Sequence, residues 1–97
     1  MTEKHIEQQL VKAVRSHGGI APKFVSPGYD GVPDRLILFP GGRLAFCELK
    51  STGKKLRPLQ LRRKAQLERL GFLVYIIDEV SQIMPTVAEI LKGDEAR

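Results

Sequence analysis

The sequence lacks what would place it in a membrane or in a secreted, disulfide-braced fold. No apolar run is long enough to span a bilayer, and the opening residues Met1-Thr2-Glu3-Lys4-His5 lead into a polar helical pattern, not an apolar signal segment. A single cysteine, Cys47, excludes an internal disulfide and suits a reducing cytosol, so a cytoplasmic location is expected. Set between Phe46 and Glu48 and facing away from both, Cys47 reads as a small buried hydrophobe. Internal repeats and linker-like low-complexity stretches are also missing. The 97 residues therefore read as one domain, 1–97, with one core and a tail frayed from about Gly93.

What is present begins with charge. Sixteen Lys and Arg against eleven Asp and Glu give a net charge of +5, which points to a polyanionic partner, although many basic proteins bind nothing of the kind. The most informative stretch runs from Asp34 to Lys50. Two β-prone runs, Asp34-Arg35-Leu36-Ile37-Leu38-Phe39 and Arg43-Leu44-Ala45-Phe46-Cys47-Glu48-Leu49-Lys50, flank Pro40-Gly41-Gly42, the composition of a hairpin with a tight turn. A turn centred on Gly41 sets Asp34 opposite Glu48, their Cα atoms roughly 4.5 to 5.5 Å apart and their side chains on one face. Like charges so placed destabilise a bare sheet, so the pairing makes physical sense if a cation sits between them or one carboxylate is protonated. Alternation along the strand puts Lys50 on the face of Glu48 and sends Leu49 to the other. The bland alternative is a solvated, charged strand face.

A helix is expected from Thr2, a good N-cap, to about Ser16, closed by His17-Gly18-Gly19, with Leu10, Val11 and Val14 as its apolar stripe and Ile6 and Ala13 at the edges. Glu7 shares that stripe, at spacings of three, four and seven from Leu10, Val11 and Val14. It either reaches water at the margin or joins Asp34 and Glu48 around a cation. Ile20 to Val25 reads as a short edge strand interrupted by Pro22, and Ser26 to Gly31 as a loop. Pro33 holds its predecessor extended and so can aim Asp34. Beyond Lys50 comes a basic loop, Ser51 to Arg57, then a helix opened by Pro58, running from Leu59 to Leu70 and stopped by Gly71. Lys54, Lys55, Arg57, Arg62, Arg63 and Lys64 crowd its first half, as a solvated face or as a hold on phosphates. Phe72 to Ile77 is nearly all apolar, as in a central strand covered on both faces, and is placed parallel to the Glu48 strand by a crossover. A short helical turn is expected within Asp78 to Ile83. The capping-box spacing of Thr86-Val87-Ala88-Glu89 then predicts a last helix to Leu91 or Lys92, whose apolar residues are one candidate for a dimer interface.

The order helix, strand, hairpin, helix, strand, helix makes an α/β domain with a mixed β-sheet flanked by helices. Pro33-Asp34 followed by Glu48-Leu49-Lys50 on the next strand resembles the PD-(D/E)xK nuclease signature. A longer set carries the resemblance further: Glu7, Gly18-Gly19, Lys23-Phe24, Gly31-Val32-Pro33-Asp34-Arg35, Pro40-Gly41-Gly42-Arg43, Glu48-Leu49-Lys50, Leu56-Arg57-Pro58-Leu59-Gln60 and Gly71-Phe72. With these the chain resembles the VRR-NUC family, the virus-type replication and repair nucleases, in the small stand-alone form of phages and bacteria. The likeness covers about Glu3 to Asp78.

The resemblance implies a restriction-endonuclease-like fold in the order α-β-β-β-α-β-α and a divalent-metal-dependent DNA phosphodiesterase. By position, Asp34, Glu48 and the Leu49 carbonyl would hold the metal, with Glu7 completing the shell directly or through water. Lys50 would orient the attacking water or stabilise developing charge, and Gln60 would steady the site. Mg2+, with Mn2+ as substitute, fits such oxygen donors, because it keeps several waters and needs no His or Cys cluster. No zinc finger or recognition helix is evident, so binding through backbone charge and DNA shape is expected, not base reading. The likeness further implies a homodimer cutting branched DNA such as four-way (Holliday) junctions, since a symmetric branch needs two cuts and one domain supplies one site. Cutting of flaps or plain duplex, a catalytically silent DNA-binding module, and a basic interaction domain without nucleic acid stand as the alternatives.

Overall fold

The computed structural model describes residues 1–93, so the frayed tail expected after Gly93 lies outside the described residues. Three helices flank a three-stranded mixed sheet. Helix α1, Glu3–Ser16, is capped by Thr2, whose hydroxyl accepts the His5 N–H at 3.2 Å. Its four-residue spacing puts Ile6, Leu10 and Val14 on one face, and all three are fully buried. Strands β1, Arg35–Phe39, and β2, Arg43–Leu49, form the expected antiparallel hairpin, with Phe39 opposite Arg43 and Arg35 opposite Cys47. Helix α2, Pro58–Arg69, crosses to β3, Leu73–Ile77, which runs parallel to β2. A single 3-10 turn, Val80–Gln82, leads into α3, Ile83–Lys92. The core lies on one side of the sheet. There Ile37, Phe39, Ala45, Cys47, Leu49 and Ile77 meet Ile6, Leu10 and Val14 of α1 and Ile83, Val87 and Ile90 of α3.

Three expectations are corrected. Ile20 to Val25 is no continuous strand: it touches β1 through two isolated bridges, Ile20 with Leu38 and Lys23 with Arg35. Pro22 has no N–H to donate and takes part only by accepting the Leu36 N–H at 3.0 Å, so the ladder does not propagate. The approach to β1 is close enough that a Cβ on Gly19 would stand 2.4 Å from the Leu38 carbonyl oxygen. Strand β3 is not central but an edge, because the order is β1-β2-β3 and β2 holds the middle. An unbroken apolar run suits a strand covered on both faces, but α2 buries none of its own residues against that side of the sheet, and Ile76 stays 38% exposed. The last helix begins at Ile83, not at a Thr86 cap. Pro85 falls in its first turn, where a missing N–H costs nothing, and Thr86 is buried within it.

That helix also spends its apolar stripe inside the molecule. Ile83, Val87 and Ile90 are each at most 2% exposed, so those residues are not free to form a dimer interface. None of the helices among the described residues is long and apolar enough to cross a membrane. Leu10→Ala is expected to cost about 2 to 5 kcal/mol in urea unfolding, by removing a fully buried side chain from the α1 face. Leu61→Ala, at a half-exposed position on α2, is expected to cost less than about 1 kcal/mol in the same measurement.

Candidate active site

The hairpin turn sets the site. Gly41 and Gly42 adopt φ of 86° and 76°, a left-handed conformation that a side chain would strain, and they close the loop so that Phe39 faces Arg43. The same register carried to the far end brings Asp34 beside Glu48. Their contacts interlock: the Asp34 N–H donates to Glu48 Oε1 at 3.1 Å, and the Leu49 N–H donates to Asp34 Oδ2 at 2.9 Å. On its outer side the Asp34 carbonyl accepts the Phe24 N–H at 2.8 Å, and the preceding Pro33 is buried. The irregular segment after α1 thus contributes by fixing the backbone of one acidic residue.

Glu48 is only 4% exposed, and its second oxygen is equally engaged. Gln60 donates its side-chain Nε2–H to Glu48 Oε2, and Lys50 Nζ lies 3.7 Å from the same oxygen. Gln60 is held in turn by its own oxygen, which accepts the Arg57 N–H at 2.9 Å at the start of α2. Pro58 opens that helix where no donor is missed, so the first turn forms at the place that lets Gln60 reach the sheet. The Lys50 backbone is pinned by its N–H to the Ile77 carbonyl at 3.0 Å. Burial, and then the charge of Asp34, push the Glu48 carboxyl up to about 7, with Lys50 opposing both. Cys47, on the other face, is fully buried, and desolvation above all pushes its thiol up to about 12. It is protonated and inert, as the sequence reading expects.

Asp34, Glu48, Lys50 and Gln60 therefore meet in one place, with the Leu49 backbone beside them. Glu7 is engaged elsewhere: its carboxylate lies 3.0 Å from an Arg35 guanidinium nitrogen, and Arg35 also donates to the Ala21 carbonyl at 2.5 Å. Arg35 pairs with Cys47 across the hairpin, so strand alternation sends its side chain to the α1 side of the sheet, away from Glu48. Among the described residues no group of three or more His, Cys, Asp or Glu is arranged to hold a metal ion.

The basic cluster also divides. Lys54, Lys55, Arg57 and Arg62 are exposed, whereas Lys64 pairs with Glu68 at 3.0 Å and borders a recess shared with Glu48, Gln60, Gly31 and Pro33. Arg63 turns inward, donating from Nε to the Asp30 carbonyl at 2.6 Å with its guanidinium 3.8 Å over the Tyr29 ring. Tyr29 and Gln66, which no spacing singled out, join this knot through a 2.8 Å hydrogen bond across 37 positions of sequence. The Pro27-Gly28 pair is the only local hint that Tyr29 follows a defined turn.

No protein-family model matches the chain. It is 51% identical over 87 residues to a protein named "Putative nuclease p44" from Acyrthosiphon pisum secondary endosymbiont phage 1, covering 88% of this chain and 94% of that one. A solved VRR_NUC domain shares the fold with a TM-score of 0.83, over 91% of this chain and 97% of that one, at 24% identity. The chain belongs to the family of that phage protein, and its fold is that of a VRR_NUC domain. The interlocked acidic pair has a titration consequence. Because the folded state holds the Glu48 proton more tightly than an unfolded carboxyl of pKa 4.5, the stabilising contribution is full below about pH 4.5 and is lost as pH rises through about 7. The carboxyl carbon of Glu48, followed by NMR in metal-free protein, should titrate near 7, and Asp34→Asn should move that midpoint down. A midpoint below 5 in the unaltered chain would overturn this electrostatic account.

Proposed function

We propose that this VRR-NUC chain is a divalent-cation-dependent endodeoxyribonuclease that cuts branched DNA, four-way junctions among them, as a homodimer in the cytosol of a bacterium or phage-bearing host. The observation that carries the reading is the interlocked pair Asp34 and Glu48 with Lys50 alongside, at the base of a helix whose outer residues are basic. Of these two acidic side chains side by side, Glu48 is nearly buried and Lys50 is the cation that opposes its raised pKa, and a dication would offset the repulsion of the pair. Asp34, Glu48 and the Leu49 carbonyl form a hard oxygen set suited to Mg2+, with Mn2+ as substitute. Glu7 is left out of the donor set because its carboxylate pairs with Arg35 on the α1 side and, among the described residues, no third acidic group joins Asp34 and Glu48 in an arrangement that could hold a metal ion. When bound, the ion supplies a Lewis acid that lowers the pKa of water and offsets charge growing on the phosphate.

The protein groups divide the remaining work. The Leu49 N–H fixes the Asp34 carboxylate, and the Asp34 N–H together with Gln60 from α2 fixes that of Glu48. Lys50 brings a cationic donor to the edge of the pair, where it can orient the attacking water or meet charge developing on the scissile phosphate. Lys54, Lys55, Arg57 and Arg62 offer exposed charge along the approach, suited to a phosphate backbone and indifferent to sequence. Since one chain carries one such site, a two-fold dimer would supply the two cuts that a symmetric junction needs.

Junction, flap and linear duplex substrates incubated with the chain in Mg2+ or Mn2+ test the selectivity; equal cutting of all three removes the branched-DNA claim. Asp34→Ala and Lys50→Ala should each lower cleavage by about a hundredfold or more while leaving junction affinity in place, as expected of groups that act on the reacting phosphate. Cleavage that survives Asp34→Ala would assign the activity elsewhere. Mn2+ should raise the melting temperature more at pH 8 than at pH 5.5, because the ion competes with the proton that Glu48 holds up to about pH 7.

A further inference from the structure

Tyr29 is immobilised at several points and yet left in contact with solvent. Its N–H closes a turn on the Ser26 carbonyl at 3.1 Å, with Pro27 and Gly28 between them and Gly28 at a φ of 80°. Its hydroxyl donates to Gln66 Oε1 at 2.8 Å, and the Arg63 guanidinium sits 3.8 Å from the ring centroid over one face. Arg63 also reaches Gln66 Oε1 at 3.3 Å and the neighbouring Asp30 carbonyl at 2.6 Å. Downstream, Gly31 has a φ of 83° and packs so tightly that a Cβ would stand 2.7 Å from Leu59 Cγ. The loop is thus tied to α2 at the tyrosine and just downstream of it. A residue serving only to tether it would have no reason to keep its ring in water, yet Tyr29 is 43% exposed. Arg63 lies over one ring face and the hydroxyl is engaged, so the opposite face is the one on which a planar group could lie.

We propose that the open face of Tyr29 is a stacking platform for an unpaired base of DNA held at the Asp34 and Glu48 site, an inference that rests on the nuclease reading above. The helix that anchors the ring is the one that supplies Gln60 to Glu48. Gln66 lies six positions beyond Gln60, roughly 9 Å along the axis at about 1.5 Å per residue. A duplex rises about 3.4 Å per nucleotide, so a strand lying along α2 from the Gln60 end would bring a base two to three steps from the scissile phosphate to the level of Gln66. Bases within a duplex are stacked on both faces and offer nothing to an aromatic side chain. An unpaired base at a branch point offers a whole face, and every base has one, so the platform selects for structure without reading sequence. Because the ring is fixed before DNA arrives, little side-chain freedom is lost on binding. Arg63, behind the ring, and the exposed Arg62 beside it on α2 add charge for the adjoining backbone.

The test uses the full chain with a four-way junction that carries one unpaired nucleotide at the branch, its base replaced by 2-aminopurine, and a matched linear duplex. In the unaltered chain, junction binding should quench the fluorescent base. Tyr29→Leu should weaken junction binding on the order of ten- to a hundredfold and abolish the quench, raising KM with kcat kept and leaving duplex binding unchanged. Tyr29→Phe loses the bond to Gln66 but keeps the ring, so it should retain the quench and most of the affinity. Circular dichroism and melting of both variants report whether the loop tether alone was lost. An unaltered KM and quench in Tyr29→Leu, or equal losses in Tyr29→Leu and Tyr29→Phe, overturn the platform while leaving the nuclease reading intact. A wild-type chain that cuts no DNA in Mg2+ or Mn2+ overturns both.

Discussion

Two carboxylates held against each other are the constraint around which this domain is built. Left alone, the pair would push the strands apart or force a proton onto one member, and burial first, then the charge of Asp34, raises the pKa of Glu48. The hairpin does not evade it. A glycine turn at one end and reciprocal bonds at the other, from the Asp34 N–H to Glu48 and from the Leu49 N–H to Asp34, hold the acids in register. The attraction that offsets the repulsion comes from Lys50, two positions on in the chain, and from the side-chain amide of Gln60, brought in by α2.

The two faces of the sheet divide the labour. On one, α1 and α3 bury an apolar cluster that supplies the hydrophobic stabilisation, with Ile6, Leu10, Val14, Ile37 and Val87 fully enclosed. On the other lies the acidic site under α2, a helix with no buried residue of its own. That arrangement suits a site that must admit a bulky polyanion, since the core closes without it. It also explains why Glu7 and Arg35 pair apart from Glu48: they belong to the α1 side, where a charged pair at the margin of the core satisfies both partners.

Much of this was legible because strand periodicity is strict. Asp34 and Glu48 are equidistant from Gly41, and a period of two then settles which of Cys47, Glu48 and Leu49 share a face. Helix α1 was equally plain, from its Thr2 cap and its apolar spacing. The failures have physical causes. The apolar run of β3 reports a taste for burial but not the number of strands available to cover it, so an edge strand passed for a central one. Thr86 and Glu89 have the spacing of a cap, but the apolar period set by Ile83, Val87 and Ile90 extends the helix past them, and Pro85 is harmless in a first turn. The ring of Tyr29 over Arg63 escaped notice because it joins residues far apart in sequence whose types carry no period.

Helix α2 shows how a surface element acquires precision without a core of its own. With little apolar burial to hold it, its position depends on directional contacts: Gln60 to Glu48, Arg63 to the Asp30 carbonyl, Gln66 to Tyr29, and the close packing of Leu59 on Gly31. Each reaches the hairpin or the loop that leads to Asp34. Polar contacts of this sort contribute modestly one at a time, on the order of 1 kcal/mol each, but they are strict about geometry. The helix therefore sits among the less strongly held parts of the molecule and at the same time sets the placement of both acidic residues. Stability resides on the α1 and α3 side and alignment on the α2 side, so changes to the clamp act on the site before they act on the fold.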